Sequence, residues 1–209
     1  MATMIVTKDS GGAGRSEDMT VVLPSQEVPV STLRAIGKHS GLDGLIVADV
    51  VSALAMHERV AARFARAAAG QSQVGELRKI HEALVQIYTS HVDTLEALLK
   101  KFALPRGYVS PAGRMAAYLA QSVAQASLLA GSVRAETMEF ILLDVAVTLA
   151  ERSLATTDAM SAVAAAGQPS STTTALTKAV KSLATGKSTL QGLRAVHAQC
   201  LVAVVTKTP

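Results

Sequence analysis

The chain has 209 residues, of which 49% are hydrophobic and only 3% aromatic, with no tryptophan. Small aliphatic side chains therefore fill the interior, and this composition favours closely packed helices over a β-sandwich. The formal net charge is +4 without a Lys/Arg run, so we expect no nucleic-acid partner. The single cysteine, Cys200, excludes an internal disulfide and is typical of a reducing compartment.

The sequence also argues against a membrane location. The first 18 residues lack the basic start and the continuous apolar core of a signal peptide. Residues 115–133 carry no charge, but they contain two glutamines and three serines, which makes a poor membrane span. We therefore expect a cytoplasmic protein with no membrane partner.

The chain is predicted to begin with an arm over residues 1–40. Its first part is rich in Gly, Ser and charged residues, which predicts flexibility. The region around Pro24 and Pro29 is predicted to be extended. A short helix follows over 31–38, with its first residue, a serine, as the candidate cap. Residues 41–209 are predicted to form one helical bundle domain.

Two long helices, 43–69 and 74–102, are predicted to form a hairpin with its turn just after Gly70. Asp43 suits the N-cap of the first helix. The apolar stripes of this hairpin carry groups that can form hydrogen bonds or bind metal: Glu58, His81, Tyr88 and His91. Glu58, Tyr88 and His91 lie at similar distances from the turn on facing stripes, so we expect them in one layer between the helices. A buried polar group needs a partner, so these positions predict either a structural pair or a ligand site.

Three further helices are predicted in the second half of the chain, over residues 111–130, 133–166 and 170–205. Ser110-Pro111 is a start signal, a cap followed by Pro at the first helical position. Pro169 separates the last two helices, and Gly186 is a weak point in the final one. The chain is predicted to be all-α, with four long helices and a shorter one in the long connection between the second and the third.

Two helical pairs joined by a long connection are typical of ferritin-like bundles, and the hairpin itself resembles that superfamily. The segment VSALAMHERVAARFARAAA (51–69) is similar to the first ferritin-like helix, with Glu58 where the metal-binding carboxylate would lie. The segment YTSHVDTLEALLKKFALP (88–105) is similar to the second, in which a histidine precedes a Leu-rich run. The resemblance covers residues 45–105 and is topological beyond them. It implies a ferritin-like four-helix bundle.

The di-iron motif of that superfamily is altered in this chain. Di-iron members carry Glu-x-x-His on the second and fourth helices, and here those positions hold Tyr88-x-x-His91 and Arg194-x-x-His197. Both histidines are present, but both glutamates are replaced. Tyrosine is a poorer iron ligand than a carboxylate, and an inward-pointing arginine would repel a cation. The resemblance therefore supports the fold more strongly than the di-iron centre.

Imidazole and carboxylate groups that could still hold a metal are present on all four long helices. The candidate ligands are Glu58, His91, His197, Asp144 and Glu151. Such a set suits iron or another divalent metal, such as zinc or manganese. The alternative is that the histidines are ordinary core residues and that Glu58 pairs with an arginine such as Arg59 or Arg63.

The third long helix contains a carboxylate in an apolar run. Asp144 interrupts the sequence FILLDVAV (140–147). A buried carboxylate needs a cation, a donor or a proton, although exposure at a gap between subunits would also satisfy it. Glu139 and Glu151 lie at the margins of the run, and we expect both to face solvent.

Two functions remain open at this point. One is a ferritin-like protein that binds iron or another divalent metal inside the bundle, with a redox or storage role. The other is a non-enzymatic structural protein that keeps the bundle, has lost the metal centre and uses its surface for assembly. Long Ala-rich helices leave more apolar surface than one bundle can cover, so a homo-oligomer is predicted.

Overall fold

The computed structural model describes residues 28–105, 107–127 and 133–206. These residues form helices and no β-strand, and the all-α prediction is thereby confirmed. The helices are α1 (Val30–Gly37), α2 (Gly44–Gln71), α3 (Gly75–Lys101), α4 (Pro111–Ala126), α5 (Ala135–Ala166), α6 (Ser171–Leu183) and α7 (Lys187–Thr206). Within the described ranges, no helix combines the length and hydrophobicity that crossing a membrane requires.

The helices begin mostly where the sequence signals predict. Asp43 caps α2 and Ser110 caps α4, each by accepting a hydrogen bond from a backbone N–H of the first turn. Ser170 caps α6 in the same way, as part of a capping box. The prediction that Ser31 caps the short helix is wrong, because α1 begins one residue earlier, after Pro29, and has no side-chain cap.

The final predicted helix is divided into two by a 3₁₀ turn over Ala184–Gly186. Gly186 lies against α3, where an added Cβ would be 2.5 Å from the Ile87 Cγ2 atom. Glycine therefore permits the close approach of the two segments at the weak point that the sequence indicates. The predicted arm over 1–27 and the predicted helical residues 128–130 lie outside the described residues.

Helix α2 lies at the centre and contacts α1, α3, α4 and α5. Hydrogen bonds show that α5 runs antiparallel to α2, because Glu139 meets Ser72 and Ser153 meets Glu58. Helix α7 packs along α5, and α6 contacts both α3 and α5. Helices α2, α3, α5 and the α6–α7 pair therefore enclose a common interior, with α4 packed on α2.

The hydrophobic interior has two halves. One half includes Leu54, Leu95, Met160 and Leu176, with Leu33 and Ile36 of α1 at its edge. The other half includes Phe64, Leu84, Leu142, Leu149 and Leu193. Along α2, α3 and α5 a short stretch of each helix separates the residues of one half of the core from those of the other. Buried polar side chains lie in this stretch.

Candidate functional site

Glu58, His91 and Ser153 meet between the two halves of the core. The Glu58 Oε2 atom lies 2.9 Å from His91 Nδ1, and Ser153 Oγ donates a hydrogen bond to Glu58 Oε1. Each residue comes from a different helix, and none is more than 3% exposed. Both oxygens of this buried carboxylate therefore have a hydrogen-bond partner, as a buried charged group requires. We call Glu58, His91 and Ser153 the polar layer.

The inward-facing stripes of the helices bring these three residues together. Glu58 and His91 lie on the stripes that the hairpin buries against each other, and the sequence predicts their proximity. Ser153 continues the stripe of α5 that also buries Leu149 and Met160. A serine within an otherwise apolar stripe is the signal that could have identified it, and the sequence analysis did not select it.

Tyr88 borders the polar layer one helical turn before His91. The two rings meet edge to face, with their centroids 6.4 Å apart. Burial raises the pKa of the Tyr88 hydroxyl well above its ordinary value of 10.0, and the charge of Glu58 raises it further. The phenol therefore stays protonated. A neutral phenol is a weak metal ligand, because it is the phenolate oxygen that binds a cation well.

His57 is a second buried imidazole at this level, and the sequence analysis did not include it among the candidate ligands. Its Nε2 atom lies 2.8 Å from the carbonyl oxygen of Leu149, so Nε2 carries the proton and donates. Burial lowers the pKa of His57 below 6.5, although the neighbouring charge of Glu58 opposes the shift. His57 is therefore held neutral, and it joins α2 to α5.

The other predicted ligands lie between α5 and α7, where they form separate pairs. His197 Nε2 is 3.3 Å from Asp144 Oδ1, without the alignment of a hydrogen bond, and the His197 ring stacks on Phe140. Glu151 accepts two hydrogen bonds from Arg194, each 2.5 Å long. Of the five predicted ligands, the structure thus brings only Glu58 and His91 into contact with each other at the centre of the bundle.

Two carboxylates of α5 differ in their exposure to solvent. Asp144 is exposed, with 61% of its side chain accessible, which is one of the alternatives that the sequence leaves open. Glu139, which we expected to face solvent, is only 3% exposed, so that prediction is wrong. The reason is that Glu139 lies against the turn between α2 and α3. Its carboxylate accepts hydrogen bonds from Ser72 Oγ at 2.8 Å and from the N–H groups that precede α3.

His81 lies at the same end of the bundle as Glu139. It is fully buried, and neither ring nitrogen has a hydrogen-bond partner within the described residues. Burial lowers the pKa of His81 below 6.5, and the charge of Glu139 opposes this shift. His81 therefore behaves as a neutral core residue.

Arg59, one of the two arginines that the alternative interpretation pairs with Glu58, does not form this pair. Arg59 instead forms an ion pair with Glu96 at 2.9 Å, so the bond joins α2 to α3 at the bundle surface. The Glu58 carboxylate instead accepts hydrogen bonds within the polar layer from the imidazole and the hydroxyl described above.

The residues present do not fit a di-iron centre. In the described parts of the chain, no group of three or more His, Cys, Asp or Glu side chains is placed to hold a metal ion. The carboxylate of Glu58 is occupied by two donors, Tyr88 is protonated, and Arg194 stands where the motif would have a glutamate.

Comparison with protein-family models, with curated proteins and with solved structures gives no match for this chain. Its function has to be inferred from its own residues and their geometry.

Proposed function

We propose that this protein is a ferritin-like helical bundle with a structural, non-enzymatic role, in which hydrogen bonds replace the metal centre. The order of the helices supports the ferritin-like part of the proposal. Helices α2 and α3 form one pair, α5 and α6–α7 form the other, and α4 lies in the long connection between them. This is the topology of a bundle with one crossover.

The observation that carries the structural role is the closed hydrogen bonding of Glu58. Where the resemblance implies a metal-binding carboxylate, both oxygens accept hydrogen bonds from side chains of the same chain. A cation at this position would have to displace at least one of these donors. Both carboxylate oxygens of Glu58 are thus satisfied within the chain, and their hydrogen bonds favour one register of α2, α3 and α5.

The surface of α4 supports a role in assembly. One face of this helix packs small residues against α2 and α5, with Ala116, Ala117 and Ala120 buried. The opposite face exposes Met115, Tyr118 and Leu119, which are neighbours at helical spacing. A helix with apolar residues on two opposite faces is typical of a helix that packs between its own domain and a second protein surface. We propose that a second copy of this chain covers this face.

Metal binding at the centre is the second candidate function. It is favoured by the 2.9 Å approach of a carboxylate oxygen and an imidazole nitrogen, two ligand types that iron and zinc share. A single divalent ion between Glu58 and His91 would have only two protein ligands of this kind. Such a site would be weak in comparison with a four-ligand centre.

The two candidate functions, a structural role and metal binding, predict different metal contents for the purified full-length protein. The protein is loaded anaerobically with Fe(II), or with Zn(II), then desalted, and its metal is measured by mass spectrometry. We expect substoichiometric metal that is equal in wild type, in His91→Ala and in the matched control His197→Ala. One ion per chain in wild type, lost in His91→Ala and kept in His197→Ala, would instead establish the metal site.

The assembly role is tested separately by analytical ultracentrifugation. We expect an oligomer for the wild type at micromolar concentration and a monomer for Tyr118→Glu, because a charge on the exposed α4 face opposes burial. The matched control is Ala165→Glu on α5, an exposed position away from α4. A wild-type protein that sediments as a monomer contradicts the assembly role.

A further inference from the structure

A cavity of about 130 Å³ lies beside the polar layer. It occurs where α6 gives way to the 3₁₀ turn and α7, so that this helical pair leaves a gap against α3 and α5. Its walls combine aliphatic residues, including Leu154, Leu183 and Leu190, with the polar residues His91, Ser153, Thr157 and Ser161. The cavity thus lies at the level of the polar layer, beside the end of α6 and the start of α7.

His91 is the polar group in this cavity that lacks a partner. Its Nδ1 atom is bound to Glu58, whereas its Nε2 atom is buried and has no hydrogen-bond partner in the described structure. A buried ring nitrogen without a hydrogen-bond partner costs free energy, so a molecule that supplies a hydroxyl group as this partner is stabilised here.

The mouth of the cavity is electrically balanced. Asp158 and Lys187 both line it, form an ion pair at 3.1 Å and are substantially exposed to solvent. Because the two charges largely cancel, the mouth offers no net attraction to an ion of either sign, and an ion would lose its hydration on entering the cavity. A neutral ligand is therefore favoured, and an exposed ion pair opens easily because its net stabilisation is small.

We propose that this cavity binds a small neutral molecule of the size of phenol, with an apolar body and one hydroxyl group that forms a hydrogen bond with His91 Nε2. The size follows from the volume, because an apolar cavity of about 150 Å³ in another protein binds benzene. The aliphatic walls contact the apolar body, and the imidazole selects the molecules that carry a hydroxyl group. This site is independent of the structural role proposed above.

Phenol is the probe, and toluene is its matched control, because it has nearly the same shape but no donor. Each is titrated into the full-length protein, and binding is followed by calorimetry and by long-range ¹H–¹⁵N spectra of the imidazole rings. We expect saturable binding of phenol, a shift of the His91 Nε2 resonance, and about 2- to 10-fold weaker binding of toluene, as the loss of one hydrogen bond implies.

Two variants locate the site. Val180→Phe enlarges a wall residue of the cavity and is expected to abolish phenol binding, while His197→Phe, outside the cavity, leaves it unchanged. His91→Phe removes the imidazole that forms the hydrogen bond. If His91→Phe does not fold, Val180→Phe and the shift of the His91 resonance still test the proposal. Absence of saturable phenol binding, equal affinity for toluene, or unchanged binding by folded Val180→Phe overturns the proposal, the first result indicating a cavity that holds only water.

Discussion

The protein contains the same carboxylate–imidazole pair in two environments. Glu58 and His91 are buried and lie 2.9 Å apart, while Asp144 and His197 lie 3.3 Å apart with the carboxylate 61% exposed. Water competes for the exposed pair, so that pair contributes little to stability. At the buried pair the loss of one partner leaves a polar group with nothing to replace it. The difference shows that burial, more than pair chemistry, decides which contact the fold requires.

The largest effect is expected from removing the buried carboxylate. Glu58→Ala deletes the partner of His91 and of Ser153 and leaves a gap in the core. We expect a loss of about 3–5 kcal/mol in the free energy of unfolding, the usual result of breaking a buried pair. Urea denaturation followed by circular dichroism measures this. A loss similar to that of a surface carboxylate contradicts the account of the polar layer.

The next largest effect is expected at the other buried carboxylate of this bundle, Glu139. Glu139→Ala leaves the Ser72 hydroxyl and two N–H groups before α3 without their acceptor. We expect a loss of about 2–3 kcal/mol, the range for hydrogen bonds to a charged group. Hydrogen exchange should also become faster at Gln73 and Val74. The exposed Glu82→Ala on α3 is the control, and equal losses in the two variants count against a stabilising role of the Glu139 hydrogen bonds.

A smaller effect is expected from pH, through the buried histidines His57 and His81. Burial lowers the pKa of both in the folded protein, so below about pH 6.5 the unfolded chain binds protons that the folded protein excludes. The free energy of unfolding is therefore not reduced by these histidines above this pH. It falls as the pH decreases below it, by at most about 1.4 kcal/mol per pH unit for each histidine.

Denaturation at several pH values between 7 and 5 tests this dependence. His81→Leu should reduce the slope, because a leucine binds no proton in either state. The exposed His39→Leu should leave the slope unchanged. A His81→Leu variant with the wild-type slope contradicts the assignment of His81 as a neutral core residue.

The smallest effect is expected at the exposed pair. Asp144→Ala should change the free energy of unfolding by no more than about 0.5 kcal/mol, because the aspartate is hydrated in either state and the contact lacks hydrogen-bond alignment. The same urea denaturation measures it. A loss approaching that of Glu58→Ala removes the contrast between the two pairs.

The sequence predicts the helical hairpin and the proximity of Glu58 and His91 because both depend on local rules. Helical spacing determines which residues share a face, and a short turn makes the neighbouring helices antiparallel. The caps at Asp43 and Ser110 are equally local, and both are present.

The environment of α5 could not be predicted in the same way. This helix is hydrophobic nearly all round, so its sequence does not indicate that Asp144 faces solvent while Glu139 is buried. The register of α5 against α2 depends on packing across a long connection. For this reason the contacts of Ser153 with Glu58 and of Glu139 with the α2–α3 turn are apparent only in three dimensions.

The most direct test of the central claim is a double-mutant cycle on Glu58 and His91 in the presence of a chelator. The variants are Glu58→Leu, His91→Leu and the double variant, each measured by urea denaturation. If the polar layer is held by its own hydrogen bonds, each single variant loses stability and the double variant loses much less than the sum. We predict a coupling of at least about 1.5 kcal/mol in metal-free protein. A coupling near zero that rises only when Zn(II) or Fe(II) is added would contradict the account.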